Sequence, residues 1–219
     1  MTNLIYDSSG DSYFNNKMIE LAEPGVMFDI GANHGMYLPA MSTKAEKVYA
    51  FEPEVNNYKI LKENIKLENV DIVQAVASNV DGMEKLFLCA NPAGHGQHTL
   101  SDGVASDPRW GHSLSNYVYV ESFRLDSFAA INNIKNISAI KIDVEGAEYK
   151  VLEGSINILN QHMPIVSLET HTPGHIDLIE RILNDCGYVY WSLDGSVVEH
   201  MLQDQPYFCV HKLKNISPF

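Results

Sequence analysis

The sequence contains 219 residues, of which 45% are hydrophobic, and carries a formal net charge of −13 at pH 7. This length and composition predict a single globular domain, residues 1–219, with a sizeable hydrophobic core. Because the net charge is negative and no run of Lys or Arg is present, we expect neither nucleic acid nor an anionic membrane as a partner.

The three cysteines, Cys89, Cys186 and Cys209, are too far apart in sequence to form a C-x-x-C site. They predict reduced thiols rather than a metal or redox centre. The N-terminus lacks the basic-then-apolar pattern of a signal peptide, and no apolar stretch is long enough to cross a bilayer. We therefore expect a cytoplasmic protein, either a monomer or a homodimer.

Apolar runs bounded by turn residues alternate with segments of helical spacing along most of the chain. Strands are predicted at residues 25–30, 47–51, 71–77, 85–89, 117–121, 138–144, 164–168, 187–191 and 207–211. Helices are predicted at 13–22, 37–42, 55–67, 145–159 and 175–186, with a short one ending near 132. This alternation favours an α/β fold, a mostly parallel sheet covered by helices on both faces. The last two strands, which no helix joins, predict an antiparallel C-terminal hairpin.

A glycine-spaced turn follows the first predicted strand, in the segment Phe28-Asp-Ile-Gly-Ala-Asn-His-Gly35. Gly31 and Gly35 permit a positive φ or a close approach of a ligand to the backbone. Asp29, near the end of the strand, can accept hydrogen bonds. Glu52 follows the next strand about 20 residues after Gly31, the spacing at which a carboxylate meets ribose hydroxyls. The pattern indicates a site for a nucleotide-like ligand.

The glycine spacing distinguishes between classes of cofactor. A dinucleotide fingerprint needs glycine at positions 31, 33 and 36, whereas this chain has Gly31, Asn33 and Met36. The spacing G-x-N-x-G instead resembles motif I of S-adenosylmethionine-dependent methyltransferases. Two other functions remain as alternatives, a nicotinamide-dependent oxidoreductase and a non-catalytic cofactor-binding partner protein. The motif could also be only a tight turn between a strand and a helix, without a bound ligand.

Residues 91–116 form a long polar segment with four glycines and three histidines. A loop of this length is usually functional, so we interpret it as a substrate-side loop in which His95 and His98 approach the substrate. A zinc site at His95-x-x-His98 is disfavoured, because no third ligand is evident and the glycines argue against a rigid site. A mobile polar loop is the alternative.

A second cluster of acidic residues lies in the segment Lys141-Ile-Asp-Val-Glu-Gly-Ala-Glu148. The carboxyl ends of parallel strands share one edge of the sheet, so acidic residues that follow different strands are expected to be neighbours. The residues expected at this edge are Asp29, Glu52, Asp143 and Glu169. Glu145 and Glu148 also fall at a predicted helix N-terminus, where capping alone would favour carboxylates.

The chain resembles the FkbM family of methyltransferases in several motifs that occur in order over roughly residues 25–171. They are Phe28-Asp-Ile-Gly-Ala-Asn-His-Gly35, Ala50-Phe-Glu-Pro53, Ile140-Lys-Ile-Asp-Val-Glu-Gly-Ala-Glu148, Val151-Leu-Glu-Gly154 and Pro164 to Glu169. The resemblance implies a seven-stranded Rossmann-like fold with residues 1–24 as a cap segment. It also implies S-adenosyl-L-methionine as the cofactor and O-methylation of a small molecule or carbohydrate. The expected cofactor-binding residues are Asp29, Gly31, Asn33, Gly35, Glu52, Pro53, Ala75 and Asp143.

Methyl transfer to a hydroxyl requires an aligned acceptor and the loss of the hydroxyl proton. The candidate catalytic residues are Asp143, Glu169 and His171, all near the carboxyl ends of predicted strands. Of His171 and Asp143, His171 has the unperturbed pKa that better suits a base. The alternative for His171 is an ordinary surface residue. Asp143 is expected near the junction of cofactor and acceptor. Glu145 is expected to face the substrate. We expect no metal, although Asp143, Glu169 and His171 could bind a divalent ion.

Overall fold

The structure is a computed structural model that describes residues 11–89, 98–107, 113–171 and 173–219. In this part of the chain the strands are β1 Val26–Ile30, β2 Lys47–Phe51, β3 Val70–Val73, β4 Val76–Ala77, β5 Gly82–Phe87, β6 Tyr117–Phe123, β7 Ile137–Ile142, β8 Ile165–Thr170, β9 Tyr188–Trp191 and β10 Gln205–His211. The α-helices are α1 Asp11–Leu21, α2 Leu38–Lys44, α3 Val55–Asn64, α4 Asp102–Ser106, α5 Leu125–Ile131, α6 Glu148–Glu153, α7 Ile156–His162 and α8 Ile176–Asp185. None of these helices combines the length and the apolar character that crossing a bilayer requires.

Seven strands form one sheet, in the order β3-β2-β1-β7-β8-β10-β9. Neighbouring strands are parallel except at β10, which pairs antiparallel with both β8 and β9. The predicted seven-stranded α/β fold and its antiparallel C-terminal hairpin are therefore confirmed. The order places β1 beside β7 in the middle of the sheet, so the turns that follow these two strands are adjacent.

The central strands are buried on both faces, and every residue of β1 and β7 is buried. Alternate side chains of β1 pack into two hydrophobic clusters, Met27 into one and Phe28 into the other. The first cluster includes Met18 of α1, and the second includes Val151 of α6 and Leu183 of α8. This double cover explains why the sequence shows continuous apolar runs rather than alternation.

A second sheet, in the order β4-β6-β5, is absent from the sequence-based prediction. The predicted buried strand at 71–77 is wrong, because the segment divides between β3 at the partly exposed edge of the large sheet and β4 in the small one. Val76 pairs with Ser122 and Ala77 with Phe123. These partners are too distant in sequence for a local hydrophobic pattern to reveal them.

The helix predicted over 145–159 is interrupted, with α6 ending at Glu153 and α7 beginning at Ile156. Gly154, between them, packs so closely against Ser78 that a Cβ would overlap the Ser78 carbonyl oxygen. The helix therefore breaks where it meets the backbone that follows β4. The predicted loop at 91–116 contains α4, and residues 91–97 and 108–112 lie outside the described residues.

Candidate active site

The carboxyl ends of β1, β2 and β7 meet at one edge of the sheet. The backbone register pairs Ile30 with both Phe51 and Ile142, so the residues that follow these strands are neighbours. The amides of Gly31 and Ala32 donate to the Phe51 carbonyl oxygen at 3.2 and 3.0 Å. The turn after β1 is thereby fixed against the end of β2.

Glu52 holds the glycine-spaced turn in place. Its Oε2 accepts a hydrogen bond from the Asn33 amide at 2.8 Å, and its Oε1 accepts one from the Glu54 amide at 2.9 Å. The turn has positive φ at Gly31 (79°), Asn33 (48°) and Gly35 (80°). Asparagine tolerates this region better than most side chains do. Burial raises the pKa of Glu52 to about 7, although the two backbone hydrogen bonds lower it.

A pocket of about 700 Å³, partly open to solvent, adjoins this turn. Six of the eight residues predicted to bind the cofactor line it, namely Gly31, Asn33, Glu52, Pro53, Ala75 and Asp143. Sequence reasoning missed the apolar wall that the second sheet and the following segment supply, which includes Val76, Leu86 and Leu100. A strand pattern could have indicated these residues as buried, but not as part of a ligand site.

The other two predicted cofactor residues, Asp29 and Gly35, do not line the pocket. Asp29 is buried beneath it and pairs with a lysine of β7. A Cβ on Gly35 would lie 3.0 Å from Leu38 Cδ1, so the glycine serves the packing of the turn. Their predicted contact with the cofactor stays a prediction.

Lys141 is a buried cation in the middle of the sheet, with 3% of its side chain exposed. Its Nζ lies 3.1 Å from Asp29 Oδ1, 3.5 Å from Asp143 Oδ2 and 3.1 Å from the Gly31 carbonyl oxygen. Burial lowers the pKa of Lys141, but the two carboxylates outweigh burial and hold the pKa well above its usual range. Lys141 therefore ties the turn after β1 to Asp143, a contact that the motif alone does not predict.

His171 follows β8 and lies among three carboxylates. Its Nδ1 is 2.9 Å from Glu148 Oε1, and its Nε2 is 3.4 Å from Glu169 Oε1 and 3.7 Å from Glu145 Oε2. The residue is buried, so the alternative of a surface histidine is wrong. Burial lowers the pKa of His171, but its carboxylate partners, first Glu148 and then Glu169, raise the pKa to about 12. The imidazole is therefore protonated at neutral pH.

Glu145 adopts a left-handed backbone conformation, with φ of 53°, in the turn before α6. Its carbonyl oxygen accepts a hydrogen bond from Thr99 Oγ1 at 2.6 Å, which joins the turn to the segment after β5. The next amide, of Gly146, donates to Glu148 Oε1 at 2.8 Å. Burial raises the pKa of Glu145 to about 8, although the charge of His171 lowers it. The pocket wall thus contains a carboxylate that titrates near neutral pH.

The structure describes one of the two histidines that were predicted to face the substrate, His98. His98 lines the same pocket as the predicted cofactor residues, and its Nδ1 accepts a hydrogen bond from the Cys89 amide at 3.2 Å. His95 lies outside the described residues. Its substrate-side role therefore stays a prediction.

Three side chains at this edge offer atoms that a metal ion could use. One atom each from Asp143, Glu145 and His171 lie within 4.8 Å of one another. The His171 ring, however, is protonated and already pairs with Glu148. A metal ion bound here would therefore have to displace the proton of the imidazole. The predicted absence of a metal remains a prediction.

Known proteins resemble this chain in both sequence and fold. The FkbM methyltransferase domain matches residues 29–190, more than half of the chain. The chain belongs to the FkbM methyltransferase family. A crystal structure of an FkbM methyltransferase from Methylobacillus flagellatus KT matches it with a TM-score of 0.53 at 14% sequence identity, covering 95% of this chain and 56% of that one. The family and the Rossmann-like methyltransferase fold are therefore confirmed.

Two relatives of this FkbM chain are methyltransferases by name. The hexuronic acid methyltransferase AglP of Haloferax volcanii is 26% identical over 153 residues, which cover 69% of this chain and 58% of that protein. Methyltransferase 1 of Beauveria bassiana is 30% identical over 140 residues, which cover 58% of this chain and 56% of that protein. The chain thus spans somewhat more than half the length of these relatives. Family membership does not favour the oxidoreductase or the non-catalytic alternative.

S-adenosylmethionine is the cofactor of FkbM methyltransferases, and the pocket fits it. Asn33 Oδ1 is buried beside the pocket, and no hydrogen-bond partner for it is found among the described residues. Buried hydrogen-bond acceptors in proteins are normally paired with a hydrogen-bond donor, and a bound ligand could supply that donor. Glu52 lies where a ribose would be recognised, and the apolar side chains Val76 and Leu100 suit a flat base.

Replacing Gly31 with alanine is expected to damage both the turn and the pocket. A Cβ at this position would overlap the Asp143 carbonyl oxygen, and the φ of 79° is strained for any L side chain. We expect a loss of roughly 2–5 kcal/mol of unfolding free energy, measured by urea denaturation, and weaker binding of S-adenosylhomocysteine. Gly174→Ala is the control, because a Cβ on Gly174 has no neighbour within 4 Å. Equal stability of the two variants would contradict the prediction.

Proposed function

We propose that the protein transfers a methyl group to a hydroxyl of a small molecule or sugar. The observation that supports this reaction is the position of Asp143, which lines the cofactor pocket and also a small second cleft lined by Glu169. A carboxylate at the junction of two clefts can align an acceptor hydroxyl with a methyl group in the first cleft. The sugar methyltransferase among the relatives is consistent with such an acceptor.

Residues at the wall of the first pocket would hold the cofactor. Glu52 would accept hydrogen bonds from ribose hydroxyls, Asn33 Oδ1 would accept a further hydrogen bond, and Ala75 would contact the adenine. When bound, S-adenosylmethionine supplies a methyl group activated by its sulfonium charge. The residues of this chain then need only align the acceptor and remove its proton.

We assign Glu145 as the general base. Its pKa of about 8 lies near physiological pH, where a base is both available in its ionised form and strong enough to accept a proton. The sequence favoured His171 for this role, but its carboxylate partners keep its ring protonated. In the proposed reaction Glu145 would take the proton of the acceptor hydroxyl on a carboxylate oxygen. The acceptor oxygen would bond to the methyl carbon while the bond from that carbon to the sulfonium sulfur breaks, so that S-adenosylhomocysteine leaves.

His171 and Thr99 would then position the base rather than react. The imidazolium of His171 neutralises part of the charge of Glu148 and Glu169 and so allows Glu145 to ionise nearby. Thr99 fixes the backbone of Glu145 through the hydrogen bond to its carbonyl oxygen. This contact supports a place for Thr99, in the described part of the predicted substrate-side loop, at the wall of the site.

The cofactor class and the reaction are tested in two steps. Calorimetric titration with S-adenosylhomocysteine, run in parallel with NADH, should show binding of the first compound only. Incubation with methyl-labelled S-adenosylmethionine and a panel of hydroxylated acceptors should then yield a product with the label on oxygen, located by mass spectrometry. Binding of NADH alone would overturn the methyltransferase assignment, and label on nitrogen or carbon would overturn O-methylation.

Cofactor affinity is expected to fall as the pH decreases below about 7. Burial raises the pKa of Glu52 to about 7, and only its ionised form can accept hydrogen bonds at both oxygens. The Kd for S-adenosylhomocysteine should therefore rise roughly tenfold or more between about pH 7.5 and about pH 5.5. Glu52→Gln should bind more weakly than the wild type at about pH 7.5 and lose this dependence. A wild-type Kd that is unchanged across the range would contradict the assignment of Glu52 to the ribose.

A further inference from the structure

Asn57 is a buried polar residue beside the carboxylate proposed for the ribose. It lies in the first turn of α3, lines the cofactor pocket and is 3% exposed. Its backbone amide donates to Glu54 Oε2 at 2.8 Å, which caps the helix. Burial raises the pKa of Glu52, and a hydrogen bond from the Asn57 side chain is one of the contacts that oppose this rise. The start of α3 therefore presents Asn57 to Glu52.

The chemistry of Glu52 determines which way the Asn57 amide points. An ionised carboxylate only accepts hydrogen bonds, so the NH2 group of Asn57 is the part that faces it. The Asn57 Oδ1 atom then faces His34, whose Nε2 lies 3.2 Å away. A carbonyl oxygen also only accepts, so His34 Nε2 carries a hydrogen and donates it. The three side chains therefore form a directed chain of hydrogen bonds that runs from His34 through Asn57 to Glu52.

The glycine-spaced turn thus reaches Glu52 by two routes. The Asn33 amide donates directly to Glu52 Oε2 at 2.8 Å, and the next residue, His34, reaches the same carboxylate through Asn57. His34 itself is exposed, and it is not among the described residues that line the pocket. The contact with Asn57 therefore gives an exposed side chain a route to the ligand.

We propose that His34 is a positioning residue for the cofactor, which acts through Asn57 to hold the Glu52 carboxylate in the orientation that accepts the ribose hydroxyls. This inference rests on the proposed function, because it concerns the same pocket and the same ligand. Each hydrogen bond in such a chain strengthens the next one, so the loss of the His34 donor weakens the contact between Asn57 and Glu52. Cofactor binding then weakens, whereas the methyl-transfer step, in which the ribose does not react, does not.

The test replaces His34 with leucine and with glutamine. Leucine removes the donor and keeps a side chain of similar size, whereas the NH2 group of glutamine can take the place of Nε2. Calorimetric titration with S-adenosylhomocysteine at about pH 7.5 should give a Kd that is about three- to tenfold higher for His34→Leu and within about twofold of the wild type for His34→Gln. His200→Leu is the control, because it makes the same change at a side chain that is 84% exposed and lies outside the pocket lining.

Three further readouts separate a positioning role from a purely structural one. His34→Leu added to Asn57→Ala should weaken binding no further, because both changes break the same chain. The KM for S-adenosylmethionine should rise in His34→Leu with little change in kcat. The pH below which affinity falls should move upward in this variant, because the Asn57 hydrogen bond opposes the effect of burial on Glu52 less strongly. Glu54, whose charge also raises the pKa of Glu52, is unchanged in the variant.

The outcomes separate this inference from the proposed function. A His34→Leu variant with the wild-type Kd and pH profile would overturn the inference and leave the cofactor site standing. Losses of affinity that add up in the double variant would also overturn it, since His34 would then act by another route. A wild-type protein that does not bind S-adenosylhomocysteine would instead overturn the proposed function, and the inference with it.

Discussion

Replacing Glu145 with glutamine should lower kcat by about 10²–10⁴-fold, the usual contribution of a general base. Glutamine has the same shape, so the turn, its φ of 53° and the Thr99 hydrogen bond to the backbone should persist. The Kd for S-adenosylhomocysteine should change much less than kcat, because glutamine preserves the shape of the pocket wall to which Glu145 contributes. Steady-state kinetics and calorimetry together separate these two effects.

The pH profile distinguishes a base from a residue that only shapes the pocket. Wild-type kcat/KM should rise with pH through an apparent pKa of about 8, since the base works only when ionised. Glu145→Gln should lose that dependence, whereas Glu63→Gln, altered on the exposed face of α3, should retain both activity and profile. A Glu145→Gln variant that keeps the wild-type profile would return the role of base to another residue, with Asp143 the first to test.

Replacing Lys141 with methionine should destabilise the protein by about 3–5 kcal/mol, because it leaves a buried carboxylate without its partner. Asp29 is 1% exposed, and its Oδ1 lies 3.1 Å from the lysine. Urea denaturation should show a lower midpoint. Lys47→Met is the control, since Lys47 pairs with Asp71 at the surface and such pairs contribute at most about 1 kcal/mol.

A double variant separates stability from function at this position. Lys141→Met combined with Asp29→Leu removes both buried charges, so most of the lost stability should return. Methyl transfer should remain impaired, because Asp143 and the Gly31 carbonyl oxygen have still lost the lysine that joins them. Recovery of full activity together with stability would show that Lys141 serves folding alone.

The sequence allowed the cofactor side of the site to be predicted because that side follows from local rules. Residues after parallel strands meet at one edge, so Gly31, Glu52 and Asp143 could be placed together from their position after apolar runs. Their common presence in the pocket lining agrees with that rule. Asp29, which lies within β1 rather than after it, is absent from that lining and pairs with Lys141 instead.

The remaining features depend on contacts that no local pattern encodes. Val76 pairs with Ser122 across a long stretch of chain, and that pairing creates the second sheet and the apolar pocket wall. His171 and Glu148 lie 23 residues apart in sequence but 2.9 Å apart in space. His171, whose ordinary pKa would suit a base, therefore has a raised pKa in its folded surroundings, because carboxylates surround its ring.

The backbone of Glu145 has a consequence for protein engineering. A side chain in the left-handed region costs about 1–2 kcal/mol that glycine would not incur, and the carboxylate is also desolvated. Glycine at this position should therefore give a protein that melts at a higher temperature but turns over far more slowly. Directed evolution that selects only for thermal stability would therefore favour Glu145→Gly. Mutant libraries of this protein should keep residue 145 unchanged.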